Sequence, residues 1–287
     1  MNILCVSNCN ILGIKCTLEA IFPDAIIEDY LIQKFLRESK GIQKKINNFD
    51  LIISTKTISN EIKKWTTKPD FIEINPIIFH AFHPDQCYLF LGDTHIGGLL
   101  GDYHSLSTFL GFKKGLSIEQ TEELINNIYK NPQLIKLGWN RSIQNLQSAH
   151  SDIFDSLIPT LKTMCIREPF MYTLNHPKIN ILSLMVQLKL MNAGHVNKVS
   201  NDLQIFDSLS KSVVWSVEKE VAEYFKFVSY SEAYKESESN NFFNRLAMIE
   251  KSYDVYSDFE FDINDLVIRG NLISEETSAI INNYESI

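Results

Sequence analysis

Residues 2–74 alternate short apolar runs with amphipathic stretches, and that alternation admits few folds. Asn2 to Val6 (NILCV) suits a buried parallel strand. Ile11, Ile14, Leu18 and Ile21 then repeat at helical spacing, and Pro23 stops the helix they mark. Ala25 to Ile27 reads as a second strand. Leu31 to Asn47 reads as a second helix with a break at Gly41, and Leu51 to Ser54 as a third strand. Ile58, Ile62 and Trp65 mark a short helix, and Phe71 to Ile74 a fourth strand ended by Pro76. The β-α-β-α-β-α-β order predicts an α/β fold: a Rossmann-like, doubly wound parallel sheet with right-handed crossovers. Tyr88 to Leu91 (YLFL) reads as a fifth strand of that sheet.

Beyond Gly101 the pattern turns helical. Ser117 and Gln120 form a Ser-x-x-Gln capping box that opens a helix toward Lys130. Leu134 to His150, Ile153 to Cys165 and Ile179 to Asn192 are further helices, the last stopped by Gly194. The remainder reads as short helices and polar loops, with Lys235 to Asn241 the most loop-like stretch. The expected organisation is a Rossmann-like part, 1–100, and a mainly helical part, 101–287, that packs on it and completes the site.

Composition removes several function classes. The 287 residues are 45% hydrophobic, enough for a core without disulfide or metal staples. A formal net charge of -8 argues against nucleic acid as a partner. Cys5, Cys9, Cys16, Cys87 and Cys165 are odd in number and show no C-x-x-C pair. They are expected to be free thiols in a reducing, cytoplasmic setting. No run approaches the ~20 apolar residues of a transmembrane helix, and the start lacks a signal-peptide pattern. H-E-x-x-H spacing is missing, so no metal is expected. G-x-G-x-x-G and Walker A loops are missing too, which disfavours dinucleotide and P-loop chemistry.

Ligands of open parallel sheets bind beyond the carboxyl ends of the strands. The loop after strand one, Ser7-Asn8-Cys9-Asn10, is therefore the leading site. A helix start there would favour an anion and lower the pKa of the Cys9 thiol; the plainer reading is a Ser7 or Asn8 helix cap. A second cluster, His80 to Asp85, sets His83 beside Asp85 as a base with an orienting carboxylate, or as a Pro84 turn. A third is Tyr103-His104-Ser105, in which Ser105 doubles as a candidate N-cap. A fourth is Thr173-Leu174-Asn175-His176-Pro177, with Asn175 as an oxyanion donor and His176 as a base. His95, His150 and His195 have no partner in sequence and read as structural or surface residues.

These four clusters, in this order, resemble the WcbI-type family of capsular polysaccharide biosynthesis proteins. That family shows Gly-Asn-Cys-Gln after strand one, then His-Pro-Asp, Tyr-His-Ser and Thr-x-Asn-His-Pro. This chain has Ser7-Asn8-Cys9-Asn10, His83-Pro84-Asp85, Tyr103-His104-Ser105 and Thr173 to Pro177, over roughly residues 1–195; Gly115-Leu116-Ser117 is also similar. Ser7 and Asn10 depart from the family's glycine and glutamine. The resemblance implies coenzyme A or acetyl-CoA as cofactor and acetyl transfer to a sugar hydroxyl of a surface polysaccharide precursor. It implies Cys9, His83, His104, Asn175 and His176 as catalytic candidates. Ser7, Asn8, Cys9, Asn10, Tyr103, His104 and Ser105 are the cofactor-binding candidates. Lys15, Lys113, Lys114 and Arg141 are candidate phosphate partners on charge alone. A homo-oligomer is left open.

Two other readings compete. The chain also resembles the SGNH esterases, which place a nucleophile after strand one; Ser7 would take that role. Here Thr173 stands where those enzymes carry an Asp three residues before the late His, and Gly-Asp-Ser is missing. The third reading is a non-catalytic nucleotide or sugar-phosphate sensor, since fold alone does not decide function.

Overall fold

The computed structural model describes residues 1–200 and 202–282. The chain divides into two compact units. The first comprises Met1–Ile77, Leu146–Lys162 and Asn175–Leu209; the second comprises Ile78–Asn145, Thr163–Leu174 and Ser210–Ile287. In chain order the elements open with β1 (Asn2–Ser7), α1 (Ile11–Ile21), β2 (Ile26–Leu31), α2 (Ile32–Lys45), β3 (Leu51–Ser54), α3 (Lys56–Ile62) and β4 (Asp70–Glu73). They continue with β5 (Gln86–Leu91), β6 (Thr94–Ile96), β7 (His104–Ser105), α4 (Leu106–Lys113), α5 (Ile118–Tyr129), α6 (Pro132–Ala149) and α7 (Phe154–Cys165). Then follow β8 (Met171–Thr173), β9 (His176–Pro177), α8 (Ile179–Asn192) and α9 (Lys219–Phe225). The last are β10 (Tyr234–Lys235), β11 (Phe242–Phe243), α10 (Arg245–Ser257), β12 (Leu266–Arg269) and α11 (Ser274–Asn282). Among the described residues no helix is long and apolar enough to cross a membrane.

The first unit is built on a four-stranded sheet of order β2-β1-β3-β4. All three pairings are parallel, as the alternation of strand and helix dictates. The central strand β3 is buried at all four positions, which explains its unbroken Leu51-Ile52-Ile53 run. Leu4, Val6 and Ile52 join Phe35 and Ile42 of α2 and Ile58 and Ile62 of α3 in one apolar cluster. Truncating Phe35, fully buried in that cluster, would cost about 3–5 kcal/mol. Ile3 and Cys5 point to the other face by strand alternation.

Helix α2 corrects the expected break at Gly41, because it runs through that position. A mid-helix glycine costs only ~1 kcal/mol, and buried Ile42 and Phe35 hold the helix to the sheet. Strand β2 also extends well past Ile27, paired with β1 from Ile26 to Leu31.

The second unit corrects a further expectation. Tyr88 to Leu91 does lie in a strand, β5, but not in the parallel sheet. It pairs antiparallel with β12, β6 and β7. Its residues form a core with Leu106, Phe109 and Tyr256. The Ser117 capping box is present in both directions at the start of α5. Helix α8 spans Ile179–Asn192, with Gly194 just beyond it at φ +79°.

Candidate functional site

Strand β1 ends at Ser7, and the next three residues turn the chain into α1. Asn8 organises that turn. Its side-chain oxygen accepts from Asn10 N at 3.2 Å and from Ser7 Oγ at 3.3 Å, and its carbonyl accepts from Ile11 N at 3.0 Å. Helix α1 begins only at Ile11, with Asn10 as N-cap and no side-chain cap. Neither Ser7 nor Asn8 caps it. Asn10 is 3% exposed, and its side-chain oxygen has no hydrogen-bond partner among the described residues. Cys9 is exposed at the tip of the turn, unlike buried Cys5, Cys87 and Cys165 and half-buried Cys16.

The imidazole of His176 meets that thiol. His176 Nε2 lies 3.1 Å from Cys9 Sγ, and both residues belong to the first unit. The contact follows from helix packing. Gly13, in the first turn of α1, lies against Leu182 and Ile179 of the first turn of α8. A Cβ at position 13 would stand 2.7 Å from Leu182 Cδ2, so a larger residue there must push that side chain aside. Cys9 lies two residues before α1 and His176 three before α8, so the two helix starts bring them together. Asp207 fixes the α8 start by accepting from Ile179 N at 3.1 Å. Nothing in the sequence singled out Gly13 or Asp207; their roles depend on contacts made across long stretches of chain.

The electrostatics overturn one expectation. The Cys9 thiol is not acidified. Although the residue as a whole is exposed, desolvation of its thiol pushes the pKa up to about 11. The backbone N–H groups of Cys9 and Asn10 oppose the shift without cancelling it. Burial also pushes His176 down to about 4. Both shifts favour a neutral pair, in which the S–H donates to Nε2. Such a pair is a thiol with a base already in hydrogen-bond contact, the arrangement that activates a nucleophile without a standing thiolate.

The other predicted residues are placed as follows. Asn175 is half-buried in the first unit. Ser7 is buried, and its hydroxyl points to the Asn8 amide. His83 and Asp85, in the second unit, do not form the expected base and carboxylate pair. His83 is fully buried, with Nδ1 donating to the Ser216 carbonyl at 3.2 Å, and burial pushes its pKa down to about 4. Asp85 turns instead to Ser105 Oγ, Ser107 Oγ and Ser107 N, anchoring the start of α4. Ser105 is the N-cap of α4, its side chain accepting from Thr108 N. His104 does not face Ser105; its Nε2 donates to the Ile96 carbonyl at 2.8 Å, and its Nδ1 accepts from Tyr256 OH at 3.1 Å. Tyr103 is buried against Tyr88.

Three of the four candidate phosphate partners are engaged within the protein. Lys15 pairs with Asp29 at 2.7 Å, Arg141 grips both carboxylate oxygens of Glu276, and Lys114 donates to the Ile281 carbonyl at 2.6 Å. Lys113 is exposed.

Fold and site together define an α/β protein with a thiol–imidazole pair at the carboxyl edge of a parallel sheet. The model of the polysaccharide biosynthesis enzyme WcbI family matches residues 2–197, and the chain belongs to that family. A solved structure is similar over nearly the whole chain, with a TM-score of 0.70 at 11% identity, covering 98% of this chain and 96% of that one. It is described as WcbI, a novel polysaccharide biosynthesis enzyme, in a native form without a disulfide bond between coenzyme A and one of its cysteines. No curated protein matches this chain.

Proposed function

We propose that this protein transfers an acetyl group from acetyl-CoA to a sugar hydroxyl during polysaccharide biosynthesis, with Cys9 as acyl carrier and His176 as base. The observation that carries the reading is the 3.1 Å contact of His176 Nε2 with Cys9 Sγ. The membership in a polysaccharide biosynthesis family supports the sugar acceptor. The WcbI structure, described by its coenzyme A–cysteine disulfide or the lack of it, supports a thiol cofactor near a cysteine. In this chain Cys9 is the exposed cysteine.

The residues fit coenzyme A. The buried Asn10 oxygen is an acceptor without a partner among the described residues, suited to an amide N–H such as the pantetheine arm carries. Asn10 and the Cys9 turn would hold that arm. Coenzyme A supplies the acetyl group as a thioester. Cys9 Sγ accepts the acyl group while its proton passes to His176 Nε2. His176 returns that proton to the departing thiolate and is neutral again. It then takes the proton of the sugar hydroxyl that attacks the acetyl carbon on Cys9, and Cys9 regains its thiol. The N–H group of Cys9 is a donor available to the developing oxyanion.

Isothermal titration with coenzyme A tests the cofactor, and steady-state transfer by His176→Ala tests the base. The reading expects micromolar binding and a loss of at least ~10²-fold in kcat/KM. Heat-silent titration at high micromolar ligand, or full activity in the variant, would contradict it.

A further inference from the structure

Edge strand β2 and helix α2 enclose an open groove within the first unit. Glu28 and Tyr30 point toward α2, where Lys45 reaches Glu28. Asp29, between them, points the other way and pairs with Lys15 of α1. Tyr30, Arg37, Glu38, Lys40, Gly41 and Lys45 line the groove, with Ile42 beneath, and its volume is about 480 Å³. That volume lies in the usual range of small-molecule sites, roughly 300–1,000 Å³. Arg37, Gly41 and Lys45 follow at intervals of four, so they stand in one row on α2.

Two observations set this groove apart from a solvated helix face. The first is charge. The chain carries a net -8, yet α2 holds Lys34, Arg37, Lys40, Lys44 and Lys45 against the single carboxylate of Glu38. Lys34 Nζ stands over the Tyr30 ring, 5.4 Å from its centroid. At the groove Lys34, Arg37, Lys40 and Lys45 face Glu28 and Glu38, a surplus of two cations. Glu28 takes Lys45, whereas Arg37 and Lys40 have no ion pair among the described residues. The second observation is Gly41. Glycine inside a helix is less favourable than alanine. Packing does not require it here, because a Cβ at position 41 would meet no atom within 4 Å. The bare backbone leaves the groove floor open between Arg37 and Lys45.

We infer that this groove binds a phosphate group, carried by a soluble ester or by a lipid headgroup, through Arg37 and Lys40 over the backbone of Gly41. A phosphate suits both observations. Its oxygens take the guanidinium fork in a bidentate contact, and its charge matches the surplus. A neutral ligand would leave that surplus uncompensated, and a single carboxylate would leave half of it. The inference goes beyond the acetyl-transfer reading and does not rest on it. The groove lies on the α2 face of the sheet, whereas Cys9 leads into α1 on the other.

Amide NMR of the full chain with inorganic pyrophosphate tests the soluble source. Cosedimentation with vesicles of phosphatidylcholine, alone or equimolar with phosphatidylglycerol, tests the lipid source. Saturable shifts of Arg37, Lys40 and Gly41 at millimolar pyrophosphate are expected for the first. Association with the anionic vesicles only, competed by pyrophosphate, is expected for the second. Arg37→Gln removes the fork, and Gly41→Gln fills the floor with an uncharged helix former. Each should weaken the binding at least ~10-fold. The urea midpoint of Gly41→Gln should hold or rise, which separates its loss of binding from unfolding. Lys64→Gln removes a charge outside the groove and should change binding by less than ~2-fold. Failure of both probes, binding undiminished in Gly41→Gln, or equal losses in Lys64→Gln and Arg37→Gln would overturn the inference.

Discussion

His176 Nε2 stands 3.1 Å from Cys9 Sγ, although the two residues are 167 positions apart in the chain. Burial raises the thiol and lowers the imidazole, so the pair rests uncharged. A thiolate–imidazolium pair would have advertised itself by a lowered thiol pKa. Under the proposed transfer, the pair ionises as the sulfur meets the acyl carbon.

Reactivity toward alkylating agents follows directly. With a pKa of about 11, Cys9 is a thiolate in only about 10⁻⁴ of molecules at pH 7. Iodoacetamide should label Cys9 at pH 7.5 about 10²-fold more slowly than an unstructured peptide cysteine, and the rate should climb through pH 9 to 11. Mass spectrometry of the Cys9 peptide gives the rate. A plateau below pH 8 would mean the thiol is acidified after all.

Acid should unfold the protein through its buried histidines. His80, His83, His150 and His176 are each pushed down to about 4 by burial, against 6.5 for an unfolded histidine. Between those values the unfolded chain binds more protons, so stability falls as pH falls from 6.5 to 4, by ~1–3 kcal/mol per histidine. Asp85 opposes this. Burial raises it to about 6, so its contribution is lost as pH rises from 3.8 toward 6. Four groups outweigh one, and urea midpoints should drop from pH 7 to pH 4.5. An unchanged midpoint would contradict the burial of these imidazoles.

Gly13 is predicted to govern the pair without touching it. Gly13→Val forces side-chain atoms into Leu182 and Ile179, at a cost of about 1–3 kcal/mol, and shifts the start of α8. Acetyl transfer should fall by more than the stability loss explains, with His176 moved from Cys9. Activity equal to the native enzyme in a folded Gly13→Val variant would show that the α1–α8 approach does not set the geometry.

Ser117→Ala removes the Oγ that accepts from Gln120 N, while Gln120 Oε1 keeps the backbone N–H of position 117. The expected cost is about 0.5–2 kcal/mol by chemical denaturation, with acetyl transfer unaltered. A cost near zero would mean that packing of α5 alone holds that helix start.

Local signals were legible in the sequence. Strand and helix alternation gave the parallel sheet, and Ser117, Pro23 and Gly194 marked element ends by their own chemistry. Cys9 and His176 were both singled out, each from a polar break after an apolar run. Their pairing was not legible, because it depends on Gly13 meeting Leu182, a contact with no local pattern. His83 and Asp85 misled by adjacency: Asp85 satisfies itself on Ser105 and Ser107, 20 and 22 residues away. Tyr88 to Leu91 carries a strand pattern but no sign of its sheet, since its partner Leu266–Arg269 lies far along the chain. Lys189 and Asp152 gave no signal, because a lone lysine in a helix reads as a solvated residue until its carboxylate partner is seen.

The central claim is that Cys9 carries the acetyl group and His176 manages its proton. Rapid-quench mass spectrometry after mixing with acetyl-CoA, without sugar, reads this directly. The expected result is one acetyl group on the Cys9 peptide of the native protein, formed at least ~10²-fold more slowly in His176→Ala. A native protein that transfers acetyl to sugar while Cys9 stays unmodified, or a His176→Ala variant that loads Cys9 at the native rate, would contradict it.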